Sequence, residues 1–381
     1  MLFAEIIYVM LSMVKESTQN APERVFPQLR KENPHMSRQA FSKARQKIKW
    51  EAFEVSVEGS YNEEYKLRRG FRVTAVDGSV LRLPSGDALL QYYGGIGNER
   101  GLTAPAALAP LLYDLENNII VDAKIGPVRD NERALAQARL CALQGLSSYN
   151  RGHRELIIFD RGYPGYAFIN SLPDKEIGYV IRMQGSFLPQ RDMPKTKDGR
   201  ITLGKIGRRV RVIQLVLSTG EVEMLITNLS ESQMEYAAFG ELYHKRWGIE
   251  TKYKELKQKL ETENFSGRLV DNVKQDFYAM MTVANMIASL VRQANLKAKK
   301  RRESQGNKYE YRVNVNHAIG VFKDRLIRVI IEEDRITRLY LMNDLVCRME
   351  RRVVPIRPNR EVAREKHRRL AKFHLNHKSN C

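Results

Sequence analysis

Residues 236–259 read YAAFGELYHKRWGIETKYKELKQK, with no proline and with apolar residues at helical spacing. At about 100° per residue, Leu242, Ile249, Tyr253, Leu256 and Leu260 fall within roughly 60° of one another, a stripe that faces a core. Tyr243, Arg246, Glu250 and Lys257 are spaced three, four and seven apart and share an arc of about 60° beside that stripe. A single helix thereby carries a carboxylate between two cations and a phenol, at the rim of a buried face. Ion pairs at i,i+3 and i,i+4 on a solvated face also account for such a pattern when the helix is read alone. The rest of the chain decides between the two readings.

The chain has 381 residues and is 43% hydrophobic, enough for a sizeable core in two or three domains. Sixty-four Lys and Arg against 44 Asp and Glu give a formal net charge of +20. Such a surplus favours a polyanionic partner, nucleic acid first. The membrane surface is the rival polyanion, but the chain carries no long basic amphipathic anchor and no lipidation signal. The apolar run Met1–Val14 is interrupted by Glu5 and is shorter than the about 20 residues a membrane span needs. It lacks the basic start of a signal peptide and reads as a core helix. Cys141, Cys347 and Cys381 have no metal-ligand spacing and suit a reducing cytoplasm.

Residues 1–69 read as short helices. Ser37 is placed to cap a helix running to Lys47, with Ala40, Phe41, Ala44 and Ile48 inward and Arg38, Lys43, Arg45, Lys47 and Lys49 around the rest. That pattern suits either a small DNA-binding module, with Trp50 in its core, or an ordinary amphipathic helix of a basic protein. Phe71–Asp77 alternates and is β-branched, so it reads as a strand ending in an Asp77-Gly78 turn. Residues 84–105 read as a Gly-rich loop. GGIGNERG within it is not framed by a buried strand and a helix start, so it is not a dinucleotide fingerprint. Ala106–Tyr113 and Asn118–Ile125 read as two further strands, Arg129–Leu143 as a helix, Leu156–Phe159 as a buried strand, Tyr166–Leu172 as a helix and Gly178–Met183 as a strand. Residues 184–232 change to a β-rich insertion with long strands at Arg208–Leu217 and Glu221–Thr227. Asp276–Gln293 is a strongly apolar helix. Lys297–Arg302 holds five cations in six residues, and helices follow at Asn314–Ile331 and Asp334–Arg348. The tail from Arg351 carries ten Lys or Arg against two Glu.

In order, the elements are three strands, helix, strand, helix, strand, insertion, helix. Asp77 ends the first strand, Asp160 ends the fourth, and Glu250 lies on the late helix. That is the topology of an α/β, RNase H-like (retroviral-integrase-like) core, in which these three places converge at one sheet edge. The domain reading is 1–69 helical N-terminal region, 70–183 first part of the core, 184–232 β-rich insertion, 233–296 second part of the core, and 297–381 basic helical C-terminal region. Carboxylate oxygens are hard ligands suited to Mg²⁺ or Mn²⁺. Two such ions, about 3.5–4 Å apart, activate the attacking oxygen and stabilise the leaving oxygen at a phosphodiester. Arg246 and Lys257 then fit phosphate anchors beside Glu250.

The Tyr-x₂-Arg-x₃-Glu-x₆-Lys spacing at Tyr243, Arg246, Glu250 and Lys257 resembles the signature of a large branch of bacterial insertion-sequence transposases of the DDE class. AVDGS around Asp77, FDRGYPG around Asp160, the stretches at Arg182 and Thr227 and the β-rich insertion support it. The resemblance covers roughly residues 1–320. It implies that Asp77, Asp160 and Glu250 bind two divalent ions per active site. It implies that Arg246 and Lys257 hold phosphates near the transposon terminus, with Tyr243 and Arg161 as further DNA contacts. Trp247 lies beyond the polar arc and either stacks on a base or packs within the fold. In relatives a Trp of the insertion stacks on a flipped base, and residues 184–232 contain no Trp. The implied chemistry is cut-and-paste: a nick at each transposon end, a hairpin made by the freed 3′-hydroxyl and reopened, then attack on target DNA. The implied partners are double-stranded transposon ends, target DNA and a second copy in a synapsed homodimer. The implied location is the bacterial cytoplasm at the nucleoid, with no membrane. Relatives commonly carry a basic segment ahead of the first helix, whereas here the apolar helix opens almost at Met1.

Two other functions compete. An RNase H-like nuclease that cuts without joining is disfavoured by the insertion and by the Tyr-Arg-Glu-Lys spacing. A catalytically inactive or domesticated transposase that only binds DNA is disfavoured by the presence of all three acids.

Overall fold

The computed structural model describes residues 3–12, 20–29, 37–58, 66–97, 103–130, 154–172, 177–185, 187–189, 193–204, 207–217, 220–303 and 306–357. The chain divides into two compact units, Ile48–Asn285 and a second made of Met1–Lys47 with Met286–Cys381.

The second unit opens with α1 (Phe3–Ser12), α2 (Asn20–Leu29) and α3 (Arg38–Arg45). The Ser37 hydroxyl accepts from Ala40 N at 3.2 Å and caps α3, as its type and position predict. Of the four residues expected inward, Phe41 and Ile48 are buried, Ala44 is half-buried and Ala40 is exposed, while Arg45, expected in the basic surround, is buried.

The Ile48–Asn285 unit holds α4 (Glu51–Glu58), β1 (Phe71–Arg82), α5 (Asp87–Tyr93), β2 (Gly95–Gly97), β3 (Thr103–Asp114), β4 (Ile119–Ala123), β5 (Gly126–Pro127) and β6 (Arg154–Phe159). It continues with α6 (Tyr166–Ser171), β7 (Ile177–Arg182), β8 (Asp198–Leu203), β9 (Arg208–Val216), β10 (Val222–Thr227), α7 (Ala238–His244) and α8 (Trp247–Lys254). It ends inside the long helix α9 (Val270–Arg302). The expected helix at Arg129–Leu143 falls mostly on residues outside the described ones. The Gly-rich stretch 84–105 is not a loop throughout, since it folds into α5, β2 and the start of β3. Trp50 belongs to this unit rather than to the N-terminal helices. Its ring stacks on Tyr278 of α9 at 5.2 Å.

Ten strands form one mixed sheet among the described residues, in the order β3-β1-β6-β7-β10-β9-β8, with β2, β5 and β4 along the other edge of β3. β1 is antiparallel to β3 and parallel to β6, and β6 is parallel to β7. The strands of residues 184–232 do not make a separate sheet. β10 pairs with β7 and carries β9 and β8 outward from it, so this segment widens the central sheet. The Asn285 amide closes the far side, accepting from Ile120 N and donating to Ile120 O, both at 2.8 Å, so α9 covers the outer edge of β4.

Both faces of the sheet are buried, which is why β6 reads as an unbroken apolar run. Ile157 and Phe159 point to the face covered by Phe168 and Ile169 of α6. Leu156 and Ile158 point to the opposite face, where Phe239, Leu242 and Tyr243 of α7 pack. Each such fully buried side chain contributes roughly 1.5–3 kcal/mol of transfer free energy. The burial of this face holds the site helices against the strand ends.

In the second unit the chain continues past α9 with β11 (Glu310–Val313), α10 (Val315–Ile331), α11 (Arg335–Glu350) and β12 (Val353–Ile356). Asn314 and Asp334 cap the two helices through their side-chain oxygens. β11 and β12 pair as a two-stranded ribbon.

Candidate active site

The Asp-Gly dipeptide at 77–78 does not turn the chain. β1 runs straight through it to Arg82, because β3 pairs with it without a slip from Thr74↔Asp114 to Arg82↔Ala106. On its other side β1 pairs with β6 in a constant register, from Phe71↔Arg154 to Ala75↔Ile158. Continued by two positions past the last pair, that register sets Asp77 opposite Asp160. The second acid therefore leaves β6 level with the first. β6 ends at Phe159 while β1 continues. The sheet opens a notch at this point, with a carboxylate on each side of it.

The segment that carries Glu250 is fastened to the sheet at both ends. Arg211, buried on β9, donates to Asp198 Oδ1 and to the Met234 carbonyl, both at 2.7 Å. The Tyr236 hydroxyl donates to Gln214 O at 2.8 Å. These bonds seat the start of α7 on β9. The segment 236–259 is not one regular helix. At Arg246, Gly248 and Ile249 the backbone N–H groups reach back three residues instead of four, which divides α7 from α8. Glu255–Lys259 widens into a π-helical turn, closed by Leu260 N donating to Glu255 O at 3.1 Å. The apolar stripe is nevertheless buried as its spacing predicts: Leu242, Ile249, Tyr253, Leu256 and Leu260 are all in the core.

The polar arc meets the notch. Arg246, with 4% of its side chain exposed, donates from Nη2 to Glu250 Oε1 at 2.9 Å, and its Nε lies 3.8 Å from Asp160 Oδ1. That Nε–H has no hydrogen-bond acceptor among the described residues. A buried donor without an acceptor costs about 1–3 kcal/mol, and an oxygen of a bound ligand would satisfy it. The Tyr243 hydroxyl donates to Asp160 Oδ1 at 3.3 Å. Burial raises the pKa of Tyr243, partly opposed by the Arg246 charge, so the phenol stays a proton donor. Burial alone would lower the pKa of Arg246, but Tyr243, Asp160 and Glu250 outweigh it and the net shift is upward. The guanidinium is thus a fixed positive charge between two of the three acids.

Asp77 Oδ1 accepts from Gly78 N at 2.9 Å. Its main chain is held by Tyr253, whose hydroxyl lies 2.8 Å from Asp77 O and 2.7 Å from Ala109 O. Lys257, read as a phosphate anchor, donates here to Val80 O at 2.7 Å and lies 3.8 Å from Glu263. The π-helical turn rotates it off the regular wheel and onto β1. Arg161 is exposed beside Asp160. Trp247 is 46% exposed, with the Arg246 guanidinium 5.2 Å from its ring, so packing in the core is not its role.

Sequence reasoning missed two features. Tyr253 was legible as core but not as the clasp on Asp77, because its partner is a backbone carbonyl 176 positions away. Arg182 on β7 and Glu223 on β10 pair at 2.9 Å, and both act on Tyr243. Their strand pairing is set by the sheet and carries no local signature.

Asp77, Asp160 and Glu250 offer carboxylate oxygens with no Cys or His among them, the ligand chemistry that hard divalent ions take. Among the described residues no three of His, Cys, Asp and Glu are assembled closely enough to hold a metal ion. The Glu250 carboxylate is engaged by Arg246 instead.

The family model for the transposase DDE domain matches residues 68–286, more than half of the chain, and the match includes Asp77, Asp160 and Glu250. The chain belongs to the DDE transposase family. A cryo-EM structure of the piggyBac transposase synaptic complex with hairpin DNA is similar to it at a TM-score of 0.47 and 11% identity, over 91% of this chain and 76% of that one. No curated protein matches this DDE transposase-family chain. No helix among its described residues is long and apolar enough to cross a membrane.

Proposed function

We propose that the chain catalyses metal-dependent cut-and-paste transposition of an insertion sequence, through an RNase H-like core of the Tyr-Arg-Glu-Lys type. The observation that carries this reading is the parallel register of β1 and β6, which continues to Asp77 opposite Asp160, under the helix of Glu250. In this reading Asp77, Asp160 and Glu250 hold the divalent ions, Mg²⁺ or Mn²⁺. Bound there, the ions would supply Lewis-acid activation of the attacking oxygen and neutralise charge on the leaving oxygen. Arg246 offers its unpaired Nε–H to a phosphate oxygen and releases Glu250 when a stronger cation competes for it. Tyr243 keeps its proton and orients Asp160. Trp247 and Arg161, both exposed at the mouth, meet the DNA, by stacking and by charge respectively. Tyr253 keeps β1 and the Glu250 helix in register. Two copies synapse two transposon ends in a bacterial cytoplasm.

The test uses the purified full chain, Mg²⁺ or Mn²⁺, and a labelled duplex bearing the DNA that borders this gene. Metal-dependent nicks at the element boundary, then hairpins and strand-transfer products, are the expected outcome. Cutting without joining would replace the transposase with a nuclease. Binding with no cutting would leave a DNA-binding protein without catalysis.

A further inference from the structure

The last turn of α9 carries Lys299, Lys300, Arg301 and Arg302, preceded by Lys297. A helix C-terminus presents about half a negative charge, which a single cation offsets. The remaining charges need another reason. α11 ends next to this turn in Glu350, and the chain leaves it through Arg351 and Arg352 into β12. β11, paired with β12, adds Arg312 opposite Val354. The ends of α9 and α11 therefore lie together, and β11 meets them through Tyr311.

Between α9 and α11 lies a cavity of about 170 Å³ lined by Ala298, Arg301, Arg302, Glu350 and Arg351. Ala298 is buried, and its methyl group leaves the space open. Water occupies about 30 Å³ per molecule in the liquid, so the cavity has room for a tetrahedral oxyanion. Three guanidinium groups face one carboxylate. Glu350, 12% exposed, stands 3.6 Å from Arg301, which is itself 69% exposed, so the pair is loose. Arg302 lies over the Tyr311 ring at 4.7 Å, which orients its guanidinium. Lys299, Lys300, Arg312 and Arg352 are exposed. Like charges held this close disfavour the fold unless a counter-charge arrives. The bland reading, a solvated basic face, explains neither the cavity nor the ring-fixed arginine.

We propose that this cavity binds a backbone phosphate of duplex DNA through Arg301, Arg302 and Arg351. The inference rests on DNA being the substrate of the proposed reaction, and it adds a contact surface separate from the candidate active site. Arginine forks match phosphate oxygens, and no base edge is required, so the contact is independent of sequence.

The experiment is fluorescence anisotropy of a labelled duplex of arbitrary sequence with the full chain, over a salt series. The wild type is expected to show a steep, linear dependence of log affinity on log salt. The double variant Arg301→Ala/Arg351→Ala should flatten that slope by about one to two units. Arg301→Lys/Arg351→Lys keeps the charge and should keep the slope, while weakening binding through loss of the forks. Glu350→Gln removes the opposing carboxylate and should tighten binding several-fold at low salt. Thermal midpoints establish that each variant is folded. If the alanine pair does not fold, the lysine pair and Glu350→Gln decide. A slope unchanged by the alanine pair, or an affinity unchanged by Glu350→Gln, overturns the site. A wild type that cuts and joins DNA while the variants leave the slope untouched defeats this inference alone. A wild type that does not bind DNA defeats the proposed function together with it.

Discussion

Glu250 has its carboxylate on Arg246 at 2.9 Å, and Arg246 also faces Asp160. Replacing Glu250 by Gln keeps the shape and removes the negative charge that a divalent ion needs. Strand cleavage by Glu250→Gln should fall below detection while duplex binding stays within a few-fold of wild type, measured by gel cleavage and anisotropy side by side. Persistent cleavage would remove Glu250 from the acidic set. Tyr253→Phe tests the neighbouring clasp. The loss of a buried hydroxyl at 2.7–2.8 Å from two carbonyls costs about 1 kcal/mol of stability. If that hydroxyl also positions Asp77, the cleavage rate of DNA-saturated enzyme should fall about tenfold or more with little change in apparent affinity for DNA. A stability loss with an unchanged rate would make Tyr253 a packing residue.

At the scale of the element, the segment 236–259 is legible as a helix with a buried stripe, and all five stripe residues are buried. What its spacing does not reveal is the break near Arg246 and the π-helical turn at Glu255–Lys259. In both places the main chain still bonds to itself, three residues back near Arg246 and five at the turn, while the Tyr253 and Lys257 side chains bond to the sheet. Lys257 is the clearest consequence. Its ammonium is on Val80 O at 2.7 Å, so it pins the turn to β1. Lys257→Ala should therefore lower unfolding stability by about 1 kcal/mol in a denaturant titration. It should also flatten the salt dependence of DNA binding by about one unit if the same ammonium reaches a phosphate in the complex. A stability change with an unaltered slope would assign it to the turn alone.

For the whole molecule, the formal charge of +20 and the candidate carboxylate site make separable demands. Phosphate contact needs no metal, whereas the proposed chemistry does. Chelating divalent ions should abolish cleavage by the full chain and leave the duplex-binding isotherm and its salt slope nearly unchanged. Readdition of Mg²⁺ or Mn²⁺ should restore cutting. Loss of binding together with cleavage would mean that the ions bridge protein and DNA. The large mixed sheet gives this separation its frame, since β1, β6 and β7 are buried on both faces and expose their carboxyl ends at a single edge.

By itself the sequence determined the α/β class of the fold and the transposase family, and it named the candidate acids. Alternation and β-branching mark the strands, the helical period marks the site helix, and the order of elements sets the three candidate acids at two strand ends and on that helix. Local composition carries those signals because side-chain direction repeats along each element. The tertiary structure alone decided the rest. β3 pairing overrode the turn preference of Asp77-Gly78, and β10 pairing with β7 turned the 184–232 strands into an extension of the central sheet. Carbonyls on β1 took the hydroxyl of Tyr253 and the ammonium of Lys257. Each of these depends on a partner distant in the chain, and a period or a dipeptide preference holds no information about such a partner.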